Sequence, residues 1–104
     1  MFGWGVKTIT TSDLAERLAQ GKQQLIDVRE PYEFAGGHVK GAVNIPLGQL
    51  VAKAGTFDSE RETFVICRSG SRSATGAKIL TKAGFERAYS VKGGTTAWRG
   101  KLAR

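Results

Sequence analysis

The chain has 104 residues, 40% hydrophobic and 24% charged, which fits one globular domain large enough to bury its own core. It holds no run of 18 apolar residues, so no membrane-spanning helix is expected. Its single cysteine and single histidine exclude an internal disulfide and a closed zinc site of nitrogen and sulfur ligands.

The elements follow in chain order. Val6–Ile9 reads as a short strand. Thr10 with Asp13 marks a helix start, Leu14 and Leu18 give it an apolar face, and Gly21 is placed to stop it. Leu25-Ile26-Asp27-Val28 is a short apolar run suited to a buried strand. Pro31 opens a brief helical turn, Tyr32–Ala35, broken by Gly36-Gly37. Ala42–Ile45 is a third strand, which Pro46 ends. Leu47–Lys53 is helical and Asp58–Glu62 is a polar turn. Thr63–Cys67 is the most β-like run in the chain. Arg72–Ala83 is the clearest helix, with Ala74, Ala77, Ile79 and Leu80 inward and Gly84 at its end. Ala88–Val91 is a fifth strand, Gly93-Gly94 a turn, and Thr95–Trp98 opens a last helix. This alternation predicts an α/β fold with about five mostly parallel strands flanked by helices. Residues 1–104 make one domain with its core in 6–100, and 1–5 and 101–104 are expected to be loose ends.

The net charge of +7 is uneven. Residues 1–52 balance five basic against five acidic side chains, whereas 53–104 carry eleven basic and four acidic. Such asymmetry suits an anionic small molecule, an acidic partner or nucleic acid, although solvated surface charge alone would produce it. No aromatic-and-basic stripe or nucleic-acid motif accompanies it, so nucleic acid is not expected as a partner. Met1 to Thr11 has neither a basic n-region nor an apolar h-region, so no signal peptide is expected. A lone thiol fits a reducing compartment, and the expected location is the cytoplasm.

The chemistry converges on Cys67. It stands where the apolar strand Phe64-Val65-Ile66 runs out, followed by Arg68-Ser69-Gly70-Ser71-Arg72-Ser73 and a helix. Sites in parallel sheets form at the carboxyl ends of strands. A short polar loop there can turn backbone N–H groups inward as an anion nest, with Gly70 supplying the positive φ. The helix behind adds free N–H groups and the positive end of its dipole. Arg68 and Arg72 add full charges. Each of these favours thiolate over thiol. A strand-end cysteine is usually a small buried hydrophobe, but such a residue needs neither two arginines nor a helix N-terminus beside it.

Cys67-Arg68-Ser69-Gly70-Ser71-Arg72-Ser73 resembles the active-site loop of rhodanese-like sulfurtransferases. Leu25-Ile26-Asp27-Val28-Arg29-Glu30 resembles the family's first landmark. Gly37-His38-Val39-Lys40-Gly41-Ala42-Val43-Asn44-Ile45-Pro46 resembles the second, and Val91-Lys92-Gly93-Gly94 followed by Trp98 the last. Four stretches in register cover the chain from about Thr8 to Trp98.

The resemblance implies the rhodanese-like fold and a thiosulfate sulfurtransferase that works through a Cys67 persulfide, without metal or cofactor. The loop Arg68 to Ser73 would cradle the transferred sulfur. The donor would be a small anion such as thiosulfate, and the acceptor cyanide, a thiol or a protein. Arg68 and Arg72 are candidates for holding the donor, with Lys92 as a further one. The likeness also assigns Asp27 to support the loop by hydrogen bonds, with Arg72 as a partner. Arg29 is expected to pair with an acid such as Glu33. His38 is placed beside its turn rather than as a general base, because an ionised thiol needs none. Asn44 and Pro46 read as turn residues and Trp98 as a core anchor.

Two alternatives share the scaffold. Phosphatases and arsenate reductases of this type carry five residues between Cys and Arg, and four separate Cys67 from Arg72. The smaller ring suits sulfur better than a tetrahedral phosphoryl group. A non-catalytic or regulatory sulfur-carrier or protein-binding module is the other alternative, and in a passive binding module the cysteine would be unreactive.

Overall fold

The computed structural model describes residues 6–104; the expectation for 1–5 lies outside them. Five strands form one parallel sheet: β1 (Lys7–Ile9), β2 (Gln24–Asp27), β4 (Val43–Asn44), β5 (Thr63–Ile66) and β6 (Ala88–Val91). Their order is β1-β6-β5-β2-β4. The helices are α1 (Thr11–Gln20), α2 (Pro31–Ala35), α3 (Leu50–Lys53), α4 (Ser71–Lys82) and α5 (Gly94–Ala97), with 3-10 turns at Leu47–Gln49 and Ala54–Thr56. Two further short strands, β3 (His38–Val39) and β7 (Leu102–Ala103), pair antiparallel apart from the main sheet.

The local signals act as their chemistry dictates. The Thr10 hydroxyl accepts the Asp13 N–H at 3.1 Å and caps α1, satisfying one of the donors a helix start leaves free. Gly21 closes the same helix by donating its N–H to Leu18. Pro31 occupies the first turn of α2, where its missing N–H removes nothing.

β5 lies in the middle of the sheet and is buried along its whole length. Its side chains alternate between two apolar layers, as the period of a strand requires. Val65 and Cys67 face Ile26, Val28, Leu50, Ala77 and Leu80, beneath α3 and α4. Phe64 and Ile66 face Ile9, Leu14, Leu25 and Val91, beneath α1. Helices therefore cover both faces, which leaves the carboxyl edge of β5 as the place where a polar loop can emerge. Each fully buried large side chain in these layers stabilises the fold by about 1.5–3 kcal/mol.

The expected elements differ from the observed ones at several places. The strand expected at Ala42–Ile45 is confined to Val43–Asn44. Helix α4 starts at Ser71, and its buried positions are Ser73, Gly76, Ala77 and Leu80, with Ile79 packed at the edge of the core. The helix expected from Thr95 lasts one turn. Trp98 packs against the α1-side core, and the chain then extends so that Leu102 and Ala103 pair with Val39 and His38. Residues 101–104 are thus not simply loose. β3 supplies backbone partners that a sequence pattern does not reveal.

Candidate active site

Cys67 follows the last residue of β5 and is fully buried, whereas Arg68, Ser69 and Ser71 around it are exposed. The thiol lies one layer beneath an open loop. That loop is shaped by Gly70, whose φ of +120° is a conformation other residues adopt only with strain. The turn aims the Gly70 N–H at the Cys67 Sγ, 3.1 Å away. From the first turn of α4, the Ser73 N–H reaches the same sulfur at 3.3 Å. Burial pushes the thiol pKa up; the Ser73 hydroxyl and the N–H groups of Ser73, Gly70 and Ser69 pull it down and prevail, leaving it below the ordinary cysteine value. The donors all favour the charged form.

A second layer holds the loop. The Thr95 N–H donates to the Cys67 carbonyl at 2.9 Å and the Thr96 N–H to the Arg68 carbonyl at 3.1 Å. This contact needs glycine at position 94. A Cβ there would stand 2.3 Å from the Cys67 oxygen and 2.5 Å from the Arg68 oxygen. The Gly93-Gly94 turn expected from sequence is thus the joint between α5 and the nucleophile's loop.

Arg72 points to α2. Its Nη1 donates to Glu33 Oε1 at 2.8 Å and its Nη2 to Oε2 at 3.1 Å. The Arg72 guanidinium holds the Glu33 carboxyl down at about 2, against an ordinary 4.5, and Glu33 raises Arg72 in return. Glu33 is in turn fixed by the Glu30 N–H, 2.9 Å from its Oε1. Much of the Arg72 charge is therefore answered within the protein. Arg68 differs: it makes no ion pair among the described residues. It lines a depression of about 340 Å³ with Tyr32, Glu33, Thr95, Thr96 and Leu102.

The remaining expected residues lie elsewhere. Asp27 is fully buried, but the hydrogen bonds of its carboxylate go to Arg29, not to Arg72 or the loop. Oδ1 accepts the Arg29 backbone N–H at 3.0 Å, and Oδ2 accepts Arg29 Nη2 at 2.7 Å. Arg29 also donates to the Gly37 carbonyl at 2.8 Å. The expected partners are exchanged: Arg29 takes Asp27 and Arg72 takes Glu33. Asp27 and Arg29 stand two residues apart, the spacing that puts side chains on one face of an extended chain, where β2 ends.

Lys92 lines a different depression, shared with Thr8, Thr10, Asp13 and Tyr89, and is not gathered with Arg68. His38 is half-buried and stacked on Phe34, with ring centroids 3.7 Å apart. Its Nδ1 bonds the Phe34 carbonyl at 2.8 Å, so Nδ1 carries the proton. Asn44 does more than shape a turn: its side chain donates to the carbonyls of Asp27 and Arg29. Among the described residues, no group of three or more His, Cys, Asp and Glu side chains is placed to hold a metal ion. None of their helices is long and apolar enough to cross a membrane.

The chain matches the Rhodanese-like domain family over residues 10–101. It is 41% identical over 97 residues to the uncharacterized protein YqhL of Bacillus subtilis, covering 93% of this chain and 75% of the relative. It is 32% identical over 92 residues to the thiosulfate sulfurtransferase GlpE of Shewanella oneidensis, covering 88% and 91%. The crystal structure of a rhodanese-like domain protein from Staphylococcus aureus superposes with a TM-score of 0.86 at 32% identity, covering 94% of this chain and 97% of that one.

Proposed function

The chain belongs to the rhodanese-like family, which includes named sulfurtransferases, and on that premise we propose that it transfers a sulfane sulfur through a persulfide on Cys67. The observation that carries this reading is the pair of backbone N–H groups, Gly70 and Ser73, aimed at one sulfur. They stabilise a thiolate before substrate arrives, and the same donors can stabilise the outer sulfur of a persulfide.

In the first half-reaction the Cys67 thiolate attacks the outer sulfur of thiosulfate. A Cys67 S–S bond forms, the S–S bond of thiosulfate breaks, and sulfite leaves with the bonding electron pair. In the second, cyanide or a thiolate attacks the outer persulfide sulfur. It departs as thiocyanate or as the acceptor's persulfide, and the Cys67 thiolate returns. No proton moves in the bond-making steps, which suits a cup without a general base. Two half-reactions sharing one enzyme form give ping-pong kinetics.

Arg68, which makes no ion pair among the described residues, supports the reading as the group that draws an anionic donor toward the loop. Since Cys67 is the only cysteine, the persulfide cannot discharge as an internal disulfide, and the acceptor comes from outside. A lone, easily ionised thiol suits a reducing compartment, and we place the protein in the cytoplasm.

Intact mass measurement after thiosulfate treatment tests the proposal. The expected result is a gain of one sulfur atom, absent from Cys67→Ala and removed by cyanide. An unchanged mass would overturn it in favour of the passive binding module.

A further inference from the structure

Behind the sulfur lies a buried pair of hydroxyls, of which Ser73 already favours the thiolate and Ser90 has no role in the transfer reaction as written. Ser73 and Ser90 have 0% and 3% exposure, and their Oγ atoms are 2.7 Å apart. Ser73 Oγ also donates to the Gly70 carbonyl at 3.0 Å. Each hydroxyl has one proton, so the direction of the chain can be worked out.

The Gly70 carbonyl and the Cys67 thiolate, which the Ser73 hydroxyl also stabilises, can only accept, so the one Ser73 proton lies on the loop side. Ser90 must then donate to Ser73. The reverse would leave the Ser90 proton without an acceptor in a buried place, at a cost of about 1–3 kcal/mol. The chain therefore runs from Ser90 to Ser73 to the Gly70 carbonyl. Both of its loop-side members also turn a backbone N–H to Cys67 Sγ.

Ser90 is a rigid anchor for such a chain. It lies within β6, where it stands in register with Thr8 on one side and Val65 on the other. The residue two positions before Cys67 is thus its sheet neighbour.

We infer that Ser90 is a positioning residue for the nucleophile: its hydroxyl tethers Ser73 and the Gly70 loop to the central sheet and holds their N–H groups on the sulfur. This rests on the reading of Cys67 as the nucleophile. Two effects follow from the geometry. The tether fixes the 3.1 and 3.3 Å donors in place, and accepting a hydrogen bond makes the Ser73 O–H a stronger donor in its turn. Nothing in a Ser-Val pair beside a Gly-Gly turn announces the role, because it depends on β6 lying next to β5.

The test uses Ser90→Ala together with Ser90→Thr and Ser90→Val, a pair of near-equal shape that differs in the hydroxyl. The readout is the rate of Cys67 alkylation by iodoacetamide as a function of pH, beside the melting temperature. Ala and Val are expected to move the alkylation midpoint upward and slow the reaction at pH 7 by about threefold to tenfold, the weight of one hydrogen bond. Thr is expected to restore the wild-type midpoint. If Ala does not fold, the Thr and Val pair gives the same comparison. Equal midpoints in Thr and Val, whatever their melting temperatures, would reduce Ser90 to packing and overturn the inference. The mass measurement on wild-type protein separates the two ideas. A persulfide with equal midpoints sinks Ser90 alone, and a shifted midpoint without a persulfide sinks sulfur transfer alone.

Discussion

Arg72 and Glu33 meet in a two-pronged ion pair, 2.8 and 3.1 Å, that ties α4 beside the nucleophile to α2, the helix that follows β2. The Glu33 carboxyl is held at about 2 rather than 4.5. A depressed acid contributes stability that is present above its unfolded value and is lost as pH falls through its folded value. Glu33 is mostly covered, but the Arg72 side chain is 34% exposed, so solvent screening reduces the contribution to about 1 kcal/mol. Glu33→Gln should therefore unfold at lower urea than wild type at pH 7. The gap should close between about pH 5 and pH 2. Urea titrations at several pH values measure it directly, and a gap independent of pH would contradict the pairing.

Asp27 makes a different prediction from the one its family resemblance suggested. Its buried bonds end on Arg29, which in turn holds Gly37. Asp27→Ala leaves a covered guanidinium without its partner, a change that costs about 3–5 kcal/mol. The expected outcome is a large fall in stability with the alkylation midpoint of Cys67 left near wild type. A shifted midpoint in the folded variant would show that Asp27 acts on the loop after all.

How much could be read from the sequence follows from these cases. Cys67, the Gly70 turn and the helix behind it were legible because they are contiguous. A strand end, a loop and a helix start within seven residues constrain one another. The five-strand parallel sheet was legible because short apolar runs alternate with helix signals. The partners were not. Arg72 to Glu33 spans 39 residues and Ser73 to Ser90 spans 17, and both depend on which strands are neighbours. The pairing of Leu102 with Val39 was hidden for the same reason, since a two-residue strand has no period to detect.

Gly94 gives the sharpest stability contrast. Replacing it with Ala places a methyl 2.3 Å from the Cys67 carbonyl oxygen, so α5 or the loop must move and the Thr95 and Thr96 bonds lengthen. Gly94→Ala is expected to cost at least about 2–3 kcal/mol, from overpacking and lost loop bonds, and to depress sulfur transfer more than tenfold. Gly48→Ala, whose added Cβ meets open space, should stay within about 1 kcal/mol of wild type. Thermal melts of the two variants decide it, and a Gly94→Ala protein as stable and active as Gly48→Ala would refute the joint.

Arg68 and Arg72 separate binding from architecture. Arg68 lines the depression beside the loop and makes no ion pair among the described residues, while the Arg72 charge is already engaged by Glu33. A doubly charged donor should therefore draw on Arg68 for attraction and on Arg72 for the shape of the cup. Arg68→Ala is expected to raise the thiosulfate KM about tenfold with little change in kcat, the mark of a contact made equally in ground and transition states. Its loss should also weaken the salt dependence of kcat/KM, because an exposed cation steering an anion is screened by salt. Arg72→Ala should instead lower kcat and shift the alkylation midpoint upward. Steady-state kinetics at two salt concentrations distinguish the pair. If the two substitutions gave the same pattern, the division of labour drawn from the Glu33 ion pair would be wrong.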